Sequence, residues 1–150
     1  MSGFIATSHQ PPSGKIVNNG FFPDIEMANF AQVMQIRQQV TPERIEQALR
    51  LAMIDVNRRL KKIKENQNSF DAVFTETIGG VSIELLLYNE AVYTRAKAFL
   101  LEEFRNYDLT LEGHGQADQA EDSVDDNLCR CTDAIRKLLG YETAMQVELI

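Results

Sequence analysis

From Ile45 to Ile63 the apolar positions recur three and four residues apart: Ile45, Ala48, Leu49, Ala52, Met53, Val56, Leu60 and Ile63. Residues at that spacing share one face of an α-helix, so the stretch predicts an amphipathic helix with one buried side. Its start is marked chemically. The Thr41 hydroxyl can accept from an orphan N–H, Pro42 has no N–H to lose at the first helical position, and Glu43 favours the positive helix end. Asn66-Gln67-Asn68 ends the pattern. Residues 66–81 then read as a connection carrying Phe70, Val73 and Phe74, broken by Gly79-Gly80.

Two apolar stripes run together from Ser82 to about Tyr107. One holds Leu85, Tyr88, Val92, Ala96 and Phe99; the other holds Ile83, Leu87, Ala91, Ala98 and Leu101. A helix apolar around much of its circumference sits centrally, or is buried by its own domain and a neighbour. A later helix, over 119–139, has one seam: Val124, Leu128, Cys131, Ile135 and Leu138. Acids crowd its first turns, Arg136-Lys137 occupy its last, and Gly140 suits the C-cap. Ahead of all these, Asp24 reads as the N-cap of a short helix over about 25–38, with Met27, Phe30, Ala31 and Met34 as its apolar face.

The two ends lack helical periodicity. Residues 1–20 hold Gly3, Pro11-Pro12, Gly14, Asn18-Asn19 and Gly20, and predict a flexible or extended arm. After Gly140 the period drops to two, with Thr143, Met145, Val147 and Leu149 alternating with Ala144, Gln146 and Glu148. That is the pattern of a short strand, and no other run offers a convincing strand for it to join. A lone alternating terminus is a candidate for pairing with another chain, through Met145, Val147, Leu149 and Ile150. Phe21-Phe22, just ahead of Pro23, reads as an aromatic anchor that enters a core or a partner. The expected fold is all-α: a small bundle of three main helices plus a short N-terminal helix. The arm covers 1–20, the helical domain 21–140 and the extended tail 141–150.

Composition narrows the function. The chain has 150 residues, 44% of them hydrophobic and 25% charged, which suits one packed domain. No apolar run reaches 10 residues, so no membrane-spanning helix is expected. Met1 to Gly14 has neither a basic flank nor an apolar stretch, so no signal peptide and a reducing, soluble compartment are expected. The net charge of −7 disfavours global attraction to nucleic acid. Most of it comes from residues 109–127, where Glu112, Asp118, Glu121, Asp122, Asp125 and Asp126 meet no base and Gly113-His114-Gly115 marks a loop. That cluster lacks the Asp-x-Asp-x-Asp-Gly spacing of a calcium loop, so a solvated helix start is the simpler reading. A negative wall that keeps DNA from sticking in a channel is another. Arg58, Arg59, Lys61, Lys62 and Lys64 form a basic run that either contacts nucleic acid or is a solvated helix end. Cys129 and Cys131, two apart on a helix, point to different faces and cannot share a metal; a small buried thiol suits Cys131 on the seam. No nucleophile elbow, phosphate loop or partnered histidine is present, so no catalytic centre and no cofactor are expected.

Several landmarks also occur in a fixed order. Phe21-Phe22-Pro23-Asp24-Ile25 opens the domain; Thr41-Pro42-Glu43-Arg44 caps a helix that continues through Asn57-Arg58-Arg59-Leu60. Tyr88-Asn89-Glu90-Ala91-Val92 leads to Phe104-Arg105-Asn106-Tyr107-Asp108, Ala117-Asp118 begins the last helix, and Leu138-Leu139-Gly140 precedes Val147-Glu148-Leu149-Ile150. Over residues 20–150 this order resembles the head completion protein family of temperate contractile-tailed bacteriophages, the GPL family. The last helix departs from the family's pattern, with Cys129, Cys131 and Asp133 where members can carry aromatics. The resemblance implies a helical head–tail connector: a dodecameric ring of this chain beneath the portal protein, formed after DNA packaging. Such a ring completes the head and meets tail-proximal neck proteins. DNA would be cargo in the channel, with Asp118, Glu121, Asp122, Asp125 and Asp126 as a possible lining. It also implies a place in the neck of the virion and assembly in the host cytoplasm. The competing reading is a small helical nucleic-acid-binding or packaging-associated protein using Arg58, Arg59, Lys61 and Lys62. A metal-dependent enzyme on the acidic stretch is a third.

Overall fold

The computed structural model describes residues 11–110 and 114–141, with side chains for 11–106 and 124–141. The chain runs β1 (Lys15–Ile16), β2 (Ile25–Glu26), α1 (Met27–Val33), α2 (Pro42–Arg59) and α3 (Lys61–Asn66). A 3-10 turn at Phe70–Val73 follows, then β3 (Thr77–Ile78), β4 (Val81–Ser82), α4 (Ile83–Thr110) and α5 (His114–Leu138). Helix dominates, as expected, but all-α is only roughly right. β1 pairs antiparallel with β2 and β3 with β4, in two separate two-stranded sheets.

The helix expected over 25–38 is shorter and starts later. Asp24 does not cap it; its Oδ1 accepts from the Asn18 N–H at 2.7 Å. Ile25 and Glu26 spend their backbone on β1 instead, with Ile16 opposite Ile25. At the other end Gln35 turns to φ 52°, in the left-handed region. The Ile36 N–H then reaches the Ala31 carbonyl at 2.9 Å and the Gln35 N–H the Gln32 carbonyl at 3.3 Å, which closes α1 as a Schellman stop. Residues 15–20, expected in the arm, are therefore tied into the folded unit; residues 1–10 lie outside the described residues.

The helix expected from 42 begins as the sequence indicates, with Thr41 Oγ1 accepting from the Arg44 N–H at 3.3 Å. It breaks at Leu60 into α2 and α3, and the bend leaves both Leu60 and Ile63 buried. α4 takes the central position. Ala91, Val92, Tyr93 and Thr94 are all buried, so consecutive residues on every side of the helix are covered. Thr94 Oγ1 is satisfied inside α4 by donating to the Glu90 carbonyl at 2.7 Å. α2 covers one side, with Ile45, Ala48, Leu49, Ala52, Met53 and Val56 buried. α5 lies along another through Val124, Cys131, Ala134 and Ile135, with Leu128 and Leu138 half-buried. Phe99, expected in the core, is half-buried at its edge, with the Arg95 guanidinium 4.1 Å above its ring.

α5 starts at His114, so the loop expected at Gly113–Gly115 gives way to helix from His114 onward. It ends as predicted. Gly140 has φ 79°, the Tyr141 N–H reaches the Arg136 carbonyl at 2.9 Å, and the Gly140 N–H the Lys137 carbonyl at 3.2 Å. Glycine adopts this conformation without the steric cost of a Cβ.

Candidate interaction surfaces

Two features hold segments of irregular backbone rigidly against the helices. The first is a strap, residues 15–24, fastened through Asn18. The Asn18 amide donates to Tyr88 Oη at 2.8 Å and to the Pro23 carbonyl at 2.7 Å. Its oxygen accepts from Asn57 Nδ2 at 2.9 Å and from the Asn19 N–H at 2.8 Å. Tyr88 Oη in turn donates to Asn57 Oδ1 at 2.6 Å, closing a ring of three side chains from the strap, α2 and α4. Burial pushes the Tyr88 hydroxyl's pKa up, against the hydrogen bond from Asn18, so the hydroxyl remains a donor. Beside this ring lies an aromatic cluster. Phe22 stacks on Tyr88 with centroids 5.4 Å apart and meets Phe70 at 5.6 Å, while Phe21 stands edge-on to Phe22 at 4.9 Å.

The second feature is the β3–β4 hairpin. Gly79 and Gly80 have φ 59° and 81°, the left-handed pair that a two-residue type I′ turn requires. Glu84, on the first turn of α4, ties β4 to the residues just ahead of β3. Its carboxylate accepts from the Thr75 N–H at 3.1 Å, from Thr75 Oγ1 at 2.6 Å and from Ser82 Oγ at 2.9 Å. Burial pushes this carboxyl up, but the hydrogen bonds from Thr75 and Ser82 outweigh it, so its pKa lies below the usual glutamate value. The braced hairpin presents apolar side chains to solvent. Ile78 is 64% exposed, and Val81, Phe74 and Leu86 are exposed beside it. A second apolar patch lies on the outer face of α2, where Leu51 and Ile54 are exposed, next to Val17 at 76%. A groove of about 560 Å³ runs there between β1 and α2.

Phe22, expected at a partner interface, faces the core of its own subunit, where only 4% of it is exposed; Phe21 is half-buried beside it. The tail residues Met145, Val147, Leu149 and Ile150 lie outside the described residues, as do the side chains of Asp118, Glu121 and Asp122. Asp125 and Asp126 are exposed on α5. Arg58, Lys61 and Lys62 are exposed as well. Arg59 is exposed too but pinned: its guanidinium reaches across to α5, donating to Thr132 Oγ1 at 3.1 Å and to Cys131 Sγ at 3.8 Å. It staples α2 to α5 from within one subunit. Cys131 is buried and Cys129 exposed, on different faces as their spacing demands. Among the described residues no three His, Cys, Asp or Glu side chains gather to hold a metal, and no helix is long and apolar enough to cross a membrane.

The model of the phage head completion protein (GPL) family matches residues 16–150, nine-tenths of the chain. The chain belongs to the GPL family. It is similar to the head completion/stabilization protein of Escherichia phage P2, 31% identical over 118 residues that cover 74% of this chain and 69% of the relative. It is also similar to the "Probable head completion/stabilization protein" of Haemophilus phage HP1, 34% identical over 133 residues that cover 83% and 85%. No solved structure matches. A GPL protein is a structural component of the phage head and not an enzyme. In this member, sequence reasoning passed over the hairpin patch. Gly-Gly between Ile78 and Val81 is a two-residue hairpin signal, and reading it only as a break in the connection hid the paired strands.

Proposed function

We propose that this GPL protein assembles as a ring beneath the portal once the genome is packaged, holds the filled head closed and offers the tail its attachment platform in the virion neck. Family membership supplies the head completion role. The observation that carries the ring is the braced hairpin: Ile78 and Val81 are exposed on its strands, and Phe74 ahead of it and Leu86 after it are exposed too, which suits a subunit built to be covered. In this reading assembly takes place in the host cytoplasm, DNA passes as cargo, and exposed acids such as Asp125 and Asp126 keep a channel from binding it. Electron microscopy of the purified protein mixed with the cognate portal tests this. Rings stacked on the portal are expected; portal alone, with no bound density, overturns it.

The tail, 141–150, is the docking element in this proposal, adding its alternating residues to a strand edge on the portal or on an adjacent subunit. The stop at Gly140 supports it, because α5 closes through the Gly140 and Tyr141 N–H groups on the Lys137 and Arg136 carbonyls, and this cap needs nothing beyond Tyr141. A chain truncated after Tyr141, which keeps the cap, should keep its helical circular dichroism and melting behaviour and fail to complete heads. If it unfolds, the tail belongs to the subunit's own core. A second reading rests on the exposed Arg58, Lys61 and Lys62, which suit a phosphate backbone. DNA affinity that falls steeply with salt, without portal binding, would favour it.

A further inference from the structure

We propose that the β3–β4 hairpin of one copy seats against the α2–β1 face of the next copy around the ring. The inference rests on the ring reading above and names the two surfaces that meet. A closed ring of more than two copies needs a heterologous interface, in which two different patches of one chain are complementary. The described residues supply two such patches on different elements. One protrudes: a type I′ hairpin, held by Glu84, with Ile78 and Val81 directly opposite each other. The other recedes: the groove between β1 and α2, walled by Met53, Ile54 and Val17, with Leu51 exposed one turn along the helix. Each exposes large aliphatic side chains that a free subunit has no internal use for.

Charge supplies an independent pairing rule. The chain contains no Lys or Arg from Glu65 through Thr94, so the hairpin's flanks carry acids only, with Asp71 and Glu76 exposed. The groove is rimmed by Lys15, Arg50 and Glu46, the last two joined in an ion pair at 2.6 Å, and with Arg58 exposed one turn beyond Ile54 this face is net basic. Hairpin against hairpin sets acid against acid, and groove against groove sets base against base. Hairpin against groove places opposite signs together and orients every subunit in the same sense. Pre-ordering adds to the fit, because Glu84 accepts from Ser82 on β4 and from Thr75 just ahead of β3, which ties both ends of the hairpin to α4 before docking.

The test uses the full chain, assembled with the cognate portal into particles. Ile78→Asp and Ile54→Asp alter side chains that solvent already reaches, so each variant should melt like the parent and fail to form rings. Mixed, the two variants still share one intact hairpin and one intact groove, and should form a pair that stops at two chains. A Cys129→Ser background with Ile54→Cys and Ile78→Cys together should give a ladder of cross-linked chains under a short bifunctional maleimide. Either cysteine alone should give none. Rings that form normally with Ile78→Asp, rings without a ladder, or Ile78→Cys linking to itself would each overturn the inference and leave the ring reading standing. If the parent itself forms no ring on the portal, the ring reading fails and this inference with it.

Discussion

Replacing Tyr88 by Phe removes one oxygen and tests whether the strap is fastened by a closed ring of side chains. The Phe ring keeps the volume and the stacking on Phe22, where the two planes lie 6° apart. What is lost is the acceptor for Asn18 Nδ2 and the donor to Asn57 Oδ1. Asn18 Nδ2 retains the Pro23 carbonyl, and Asn57, half-buried where it lines the groove beside β1, loses the hydroxyl that donates to its Oδ1. A buried polar group left unpaired costs about 1–3 kcal/mol, and because the half-buried Asn57 lines an open groove the substitution should cost about 1 kcal/mol. For a domain of this size that lowers Tm by roughly 3–5 °C. Urea unfolding followed by circular dichroism measures it directly. A Tyr88→Phe, Asn57→Leu double variant should cost less than the two singles added, because removing both partners leaves fewer groups unpaired. An unchanged midpoint for Tyr88→Phe, or strict additivity in the cycle, would refute the ring.

Glu84 gives a pH prediction. A carboxyl held below its ordinary value in the folded state contributes stability above about pH 4.5 and loses it as the pH falls through the folded value. Between pH 7 and 3 the parent should therefore lose more stability than Glu84→Gln; equal losses would show that the brace carries no charge-dependent stability. Phe99→Ala should cost about 2 kcal/mol, below the ~3–5 of a fully buried ring, because Phe99 sits half-exposed under Arg95; chemical denaturation decides it. Maleimide should label Cys129 in the native protein and leave Cys131 untouched, since Cys131 is enclosed and burial pushes its thiol up. Mass spectrometry showing two adducts without denaturant would contradict that placement.

The sequence showed most where one face of a long helix is apolar. α2 and α5 were legible from their seams, and α4 from its doubled stripe, because burial repeats often enough there to set a period. The capping residues Thr41 and Gly140 were legible for a different reason: each carries a local chemical role independent of the rest of the fold. β1 and β2 were not, because two residues carry no period and their pairing joins Lys15 to Glu26 across a loop. The end of α1 was hidden because Gln35, and not glycine, takes the left-handed position. Phe22 was ambiguous between core and partner until Tyr88, far along the chain, was found stacked on it. The interaction surfaces were the least legible. An apolar residue exposed on a folded surface reads the same in sequence as a buried one, so Ile54 and Ile78 acquire meaning only when their exposure is known.

The Asn18 ring also dictates an order of events during synthesis. Ribosomes deliver the N-terminus first. Asn18 must wait for Asn57, 39 residues later, and then for Tyr88, 70 residues later, before its bonds can close. Until then the nascent strap has only the two-residue pairing of β1 with β2, far too little to persist alone in water. Phe22 stays in solvent over the same interval, available to any chaperone that reads aromatic segments. β1, the first element among the described residues, is thus among the last to settle, and the emergence of α4 is the moment at which the strap acquires its place.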